Sequence, residues 1–218
     1  MPIIVSAHKI AYMALPKAGC STVKRALAQI DPDVTVDVGT VDDMDVWHGL
    51  YPTVRFRPHR WEAVADHWRF CVVRDPVKRL LSVYTNRVAQ FGELHNSRKL
   101  KWPQFAHLTA DPDPDFFFSN LEDYMQAASV IRHHVLPAEL FVGPDLGAYD
   151  RVYRTAELAR LADDLQARTG HAVDISRENA SEMKLELDDL APVTIDAIRP
   201  RLMREYALLG GFFTNPLA

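Results

Sequence analysis

The sequence predicts an α/β fold with a mainly parallel central sheet flanked by helices. Three observations carry that expectation. Short apolar runs have the length of buried strands, segments of helical period lie between them, and two of the runs pass through a tight turn directly into a helix. Sheets of this kind place ligands outside the carboxyl ends of their strands, so chemistry is expected in the residues that follow the runs.

The elements follow in order. Lys9, Ile10, Ala11, Tyr12, Met13, Ala14 and Leu15 form a short, mainly apolar run that reads as a buried strand. Pro16 and Gly19 break it. From Ser21 the spacing puts Val23, Leu27 and Ile30 on one helical face, and Asp31-Pro32 ends the segment. Residues 34–45 are β-branched and acidic, which suggests a short strand and a loop. Residues 47–61 are aromatic, basic and turn-rich. Phe70, Cys71, Val72 and Val73 form a second buried run. Arg74 and Asp75 follow it, and Pro76 suits the first turn of a helix over 77–88, with Leu80, Leu81 and Tyr84 inward.

Residues 91–114 have no clear period, and Asp111-Pro112-Asp113-Pro114 punctuates them, so a loop or lid insertion is expected around 91–115. Residues 116–128 read as a helix. Leu140-Phe141-Val142 and Arg151-Val152-Tyr153 read as strands. Thr155 can cap a helix over 156–168 that Gly170 closes. A last helix spans 193–206, before Gly210-Gly211. There is no internal repeat and no low-complexity tract.

Bulk properties bound the function. A chain of 218 residues with 48% hydrophobic and 25% charged residues suits a single domain over 1–218. No apolar run approaches the ~20 residues that span a bilayer, and residues 1–9 do not form a signal peptide. Cys20 and Cys71 are too few for a disulfide framework, and neither belongs to a CxxC pair. The expected setting is cytoplasmic and reducing, with no membrane partner; oligomeric state is not legible. The net charge is −4, yet residues 55–101 hold eleven Lys/Arg against four Asp/Glu. A basic segment inside an acidic chain points to a small anionic ligand rather than to a nucleic acid polymer, which favours a basic domain throughout; solvated charge balanced elsewhere in the fold is the alternative.

The first strand–turn–helix has the parts of an anion site. The amides of Cys20, Ser21 and Thr22 belong to a first helical turn, where N–H groups lack helical partners and the dipole favours negative charge. Gly19 permits close backbone approach, Lys17 adds a mobile cation, and Ser21 and Thr22 add hydroxyls. A Walker A loop carries its lysine after the second glycine, beside a magnesium-binding Ser or Thr. Here Lys17 precedes Gly19, which suggests a phosphate site without that metal arrangement. An ordinary turn with a surface lysine is the competing reading. The second strand–turn–helix puts Arg74 at a strand's carboxyl end and Ser82 about two turns further on. Parallel strands bring such ends to one edge, and two anion sites there suit a ligand phosphorylated at two positions.

These two segments resemble the 5′-phosphosulfate and 3′-phosphate motifs of sulfotransferases that use PAPS (3′-phosphoadenosine 5′-phosphosulfate). The match is closest to the carbohydrate branch of the chondroitin, HNK-1 and heparan 2-O type. That branch carries Pro-Lys-x-Ala/Gly-Cys/Ser-Ser/Thr-x-x-Lys-Arg, matched by Pro16, Lys17, Ala18, Gly19, Cys20, Ser21, Thr22, Val23, Lys24 and Arg25, with Val23 where many members have Trp. Its Val-Arg-Asp/Glu-Pro-x-x-Arg-Leu-x-Ser-x-Tyr is matched without a gap from Val73 to Tyr84. Three later elements are similar but weaker. Arg132 to Pro137 resembles a mid-chain Arg-His element, with Ala138 where Gln is common. Arg177 to Ser181 resembles an Asn-x-Ser element near the donor, and Arg204 to Phe212 a closing aromatic segment.

The resemblance implies a P-loop-like three-layer fold and transfer of the sulfuryl group of PAPS to an acceptor hydroxyl, with release of PAP; the branch resembled favours a carbohydrate acceptor. It implies that Lys17 contacts the 5′-phosphosulfate and stabilises the leaving phosphate, that Ala18, Gly19, Cys20, Ser21 and Thr22 cradle it, and that Arg74 and Ser82 bind the 3′-phosphate. Asn179 and Ser181 are implied as further donor contacts. Sulfuryl transfer resembles phosphoryl transfer in its in-line attack and loose transition state, so positioning and electrostatics dominate. The transferring group carries less negative charge, and no metal is expected.

The acceptor hydroxyl needs a base. His48 is the first choice, because histidine titrates near working pH and His48-Gly49 resembles the segment in which some heparan 2-O-type enzymes hold theirs. His59, His67, His133 and Glu62 are reserves. His133-His134 suggests a metal only weakly, since no third ligand has suitable spacing. Arg55, Arg57 and Arg60 could meet an anionic acceptor or face solvent; Trp47, Tyr51 and Trp61 could stack on a sugar or pack in the core. Two other functions stay open: a P-loop kinase-like phosphotransferase, which needs magnesium and an acid on a second strand, and a non-catalytic protein that binds PAP without turnover.

Overall fold

The computed structural model describes residues 2–36, 38, 41, 44–175 and 183–218. Their elements in chain order are β1 (Ile3–Val5), β2 (Ile10–Met13), α1 (Cys20–Ala28), α2 (Met44–Leu50), α3 (Pro58–Glu62), β3 (Trp68–Val73), α4 (Pro76–Val83), α5 (Pro114–Ser119), α6 (Leu121–Ala127), α7 (Ser129–Val135), α8 (Glu139–Val142), β4 (Arg151–Arg154), α9 (Leu158–Thr169) and α10 (Pro192–Leu209). The sheet order is β1-β2-β3-β4. β1 runs antiparallel to β2, whereas β2–β3 and β3–β4 are parallel, with Met13 opposite Cys71 and Val73 opposite Arg154. This is the expected α/β architecture, a mainly parallel sheet flanked by helices.

The chain folds as two compact units, residues 1–74 with 138–179, and residues 75–137 with 180–218. The first holds the whole sheet. All four residues of β2 are buried, as are Phe70, Cys71, Val72 and Val73 of β3, because parallel strands are covered on both faces. Val23 and Leu27 of α1 and Leu161 and Leu165 of α9 join these strands in one core, with Trp47 and Tyr51. The second unit is helical. Leu80, Leu81 and Tyr84 turn inward as the spacing predicts and pack with Phe117, Phe118, Tyr124, Ile198 and Tyr206. Asp75 caps α4 by accepting from Lys78 N at 2.9 Å, and Pro76 opens it. After Val83 the helix loosens into a π-helical stretch, Tyr84–Gln90.

Several local expectations are corrected. Leu140-Phe141-Val142 is helical, in α8, because a three-residue apolar run carries no period that separates strand from helix. Ile3–Val5, outside the strands read from the sequence, is an antiparallel strand. Residues 116–128 break into α5 and α6 around Asn120. Thr155 does not cap α9; it opens a 3-10 turn in which Glu157 accepts from Arg154 N at 2.8 Å. Gly170 closes α9 in a left-handed conformation, as expected. Residues 91–113 contain three 3-10 turns, Glu93–Asn96, Arg98–Lys101 and Pro103–Phe105.

Candidate functional site

The first strand–turn–helix sits within the sheet-bearing unit. β2 leads into the 16–19 turn, where Ala18 N donates to Leu15 O at 3.2 Å. Gly19 caps α1 at φ 74°, and Lys17 has φ 64°. Both values lie in the left-handed region, which glycine enters at little cost and lysine does not. The first bond of the helical ladder is Val23 N to Gly19 O at 3.1 Å. The amides of Cys20, Ser21 and Thr22 therefore form the open turn that attracts an anion.

Arg74 touches this loop. Its Nη1 donates to Lys17 O at 3.1 Å. Arg74 follows β3, the parallel neighbour of β2, so the two strand ends share an edge of the sheet. The guanidinium thus ties down the carbonyl of a residue held at unfavourable φ, and the basic residues of the two sequence motifs adjoin.

A second group of side chains stands behind the loop. Ser21 Oγ lies 2.9 Å from His48 Nε2, and Lys24 Nζ lies 2.9 Å from His48 Nδ1. Lys24 Nζ also donates to Thr53 Oγ1 at 2.7 Å. Lys24 is fully buried, at 0% exposure, and burial lowers its pKa below the ordinary lysine value, with Cys20 opposing more weakly. Sequence reasoning singles out His48 and Ser21, assigns Lys24 no role beyond its place in the motif, and misses Thr53. The i,i+3 spacing of Ser21 and Lys24 on a helix is the available signal.

Other expected residues have different surroundings. Ser82 belongs to the helical unit, where it is 9% exposed and its hydroxyl donates to Arg79 O at 2.7 Å. Asn179 and Ser181 lie outside the described residues. Asp75, a poor substitute for the magnesium-binding acid of a phosphotransferase, caps α4 and accepts from Tyr206 Oη at 2.8 Å. His134 Nδ1 lies 2.9 Å from Val130 O. Among the described residues, no group of three or more His, Cys, Asp or Glu could hold a metal ion. Trp47, Tyr51 and Trp61 are buried; Tyr51 donates to Asp31 at 2.5 Å and Trp61 packs on Tyr149. They are core residues, not a sugar platform. Arg55, Arg57, His59, Arg60 and Glu62 are exposed, and His67 lies 2.8 Å from Asp66.

A family model described as the sulfotransferase family matches residues 2–192. The chain belongs to the sulfotransferase family. The match covers both strand–turn–helix segments and the whole sheet, and a P-loop-like fold follows from membership. The protein is thus a sulfotransferase, an enzyme of sulfuryl transfer acting on an acceptor substrate. No curated protein and no solved structure matches the chain. No helix of this sulfotransferase is long and apolar enough, among the described residues, to cross a membrane.

Proposed function

We propose that the enzyme takes the sulfuryl group from PAPS and passes it to a hydroxyl of a carbohydrate, whose proton is released to solvent as PAP leaves. The observation that carries this reading is the contact between the Arg74 guanidinium and the Lys17 backbone carbonyl at 3.1 Å, at neighbouring parallel strand ends, which supports a single site served by both motifs. A donor with anionic groups at its 5′ and 3′ positions calls for such a pair. Lys17 is the cation for the 5′ end. As the S–O bond to the leaving phosphate breaks, negative charge grows on that oxygen, and the lysine and the α1 amides stabilise it. Arg74 is the guanidinium for the 3′-phosphate. For Ala18, Cys20, Thr22 and Ser82 the assignment rests on the motifs. His48 enters this reading through its bond to Ser21.

The carbohydrate acceptor rests on the branch that the motifs resemble, since acceptor contacts in such folds lie on loops. A thermal-shift screen with PAP, PAPS and ATP, each with and without Mg²⁺, tests the donor. PAP and PAPS are expected to raise the Tm with no dependence on Mg²⁺. Stabilisation by ATP–Mg²⁺ and not by PAP would overturn the reading in favour of a phosphotransferase.

A further inference from the structure

The side chains behind the loop form a directed chain of hydrogen bonds. A lysine ammonium has donors and no acceptor. Lys24 Nζ, 2.9 Å from His48 Nδ1 and 2.7 Å from Thr53 Oγ1, donates to both. With Nδ1 accepting, the neutral ring carries its proton on Nε2, which donates across 2.9 Å to Ser21 Oγ. The hydroxyl hydrogen of Ser21 must then turn away from the imidazole. Ser21 stands in the first turn of α1, where an anion is favoured.

We propose that Lys24 is a positioning residue for the donor: through His48 it fixes the Ser21 hydroxyl as a hydrogen-bond donor to the anionic 5′ end. The inference rests on the reading of this loop as a PAPS site. Each donor in the chain polarises the next, so part of the buried charge of Lys24 is felt at Ser21. No carboxylate among the described residues pairs with Lys24, and a buried cation without an anion is costly. An anion bound at Ser21 offsets that cost, and the pressure that burial exerts on the Lys24 ammonium is relieved by the same event. His48 then serves the donor rather than the acceptor: one ring nitrogen faces a cation and the other already carries the proton.

The test combines a tautomer measurement with a binding cycle. Nitrogen-15 NMR of the imidazole rings, with the His48 signals identified by their loss in His48→Gln, is expected to show the Nε2–H form in the unliganded wild-type protein. Calorimetric titration with PAP is expected to show affinity losses of about tenfold for Lys24→Met and for Ser21→Ala. The double variant should lose little more than either single one, because both interrupt one chain. His48→Leu should match Lys24→Met, and His48→Gln, whose amide still donates, should recover most of the loss. An Nδ1–H ring, additive losses, or unchanged affinity in Lys24→Met would overturn the inference while PAP binding by wild type upholds the donor. Absence of PAP binding by wild type would overturn the donor reading and this inference with it. Should Lys24→Met not fold, the tautomer and the two His48 variants decide.

Discussion

The sheet-bearing unit and the helical unit each bury a basic side chain, and they neutralise it in different ways. In the helical unit Arg79 is 3% exposed and meets Glu205, itself 5% exposed, at 2.9 Å. The same guanidinium donates to the carbonyls of His134 and Leu136, so its charge is answered within the fold. In the sheet-bearing unit Lys24 meets an imidazole and a hydroxyl, both neutral acceptors. The difference separates two kinds of basic residue that look alike in sequence. Arg79 is structural, a clamp between α4 and the α10 carboxylate. Lys24 meets no carboxylate among the described residues, and on the proposed reading the chain of donors it feeds ends at a helix N-terminus where a bound anion supplies the counter-charge.

Four variants test that contrast. Lys17→Ala is expected to have the largest effect, a loss of about a thousandfold or more in turnover of PAPS, since on the proposed reading it removes the cation at the leaving oxygen. Its far-UV circular dichroism and Tm should stay near wild type, and normal kcat would show that the loop cation is not part of the chemistry. Glu205→Gln is expected to destabilise by about 3 kcal/mol in denaturant melts, because the Arg79 charge is left buried without its anion. An unchanged midpoint would place Arg79 with Lys24 and erase the contrast.

Gly19→Ala is expected to cost about 1 kcal/mol of stability, since its φ of 74° disfavours any Cβ. The added methyl meets Leu158 and Thr155 only at ordinary contact distances of 3.7 and 4.0 Å, so a much larger loss would mean that the turn is tighter than its neighbours suggest. Lys24→Met is expected to change stability least, by under about 1 kcal/mol near neutral pH, because the desolvation cost of the buried ammonium is opposed by its hydrogen bonds to His48 and Thr53. Its signature is a pH slope. Burial depresses the Lys24 pKa in the folded state, so the unfolded chain binds the proton more tightly. The contribution of Lys24 to stability is full above its ordinary value of 10.5 and declines as pH falls through the depressed one. Relative to Lys24→Met, wild type should therefore gain stability as pH rises toward that limit, and parallel stability curves would show that the ammonium is not strained.

Much of this is legible in the sequence, and the limits have physical causes. β2, β3 and α1 are readable because buried parallel strands are continuous apolar runs, and because Gly19 and Pro76 mark the turns that follow. β1 and α8 are not, because three or four apolar residues fit either period. The basic segment over 55–101 points to an anionic ligand for a mixed reason. Arg74 adjoins the loop, but Arg79 and Arg87 are committed to Glu205 and Glu93. A tally of charges does not reveal such pairings, and the partner of Arg79 lies far along the chain. His48 stands out as a titratable group, yet its bonds to Ser21 and Lys24 depend on α2 packing beside α1, an arrangement with no local signature.

The most direct test follows radiolabelled sulfur from PAPS into a panel of oligosaccharides, without added metal, for wild type and Lys17→Ala. Label on an oligosaccharide and stoichiometric PAP are expected with wild type, and neither with Lys17→Ala. Label left entirely in PAPS, together with magnesium-dependent transfer of the terminal phosphate of ATP to the same panel, would overturn PAPS as the donor.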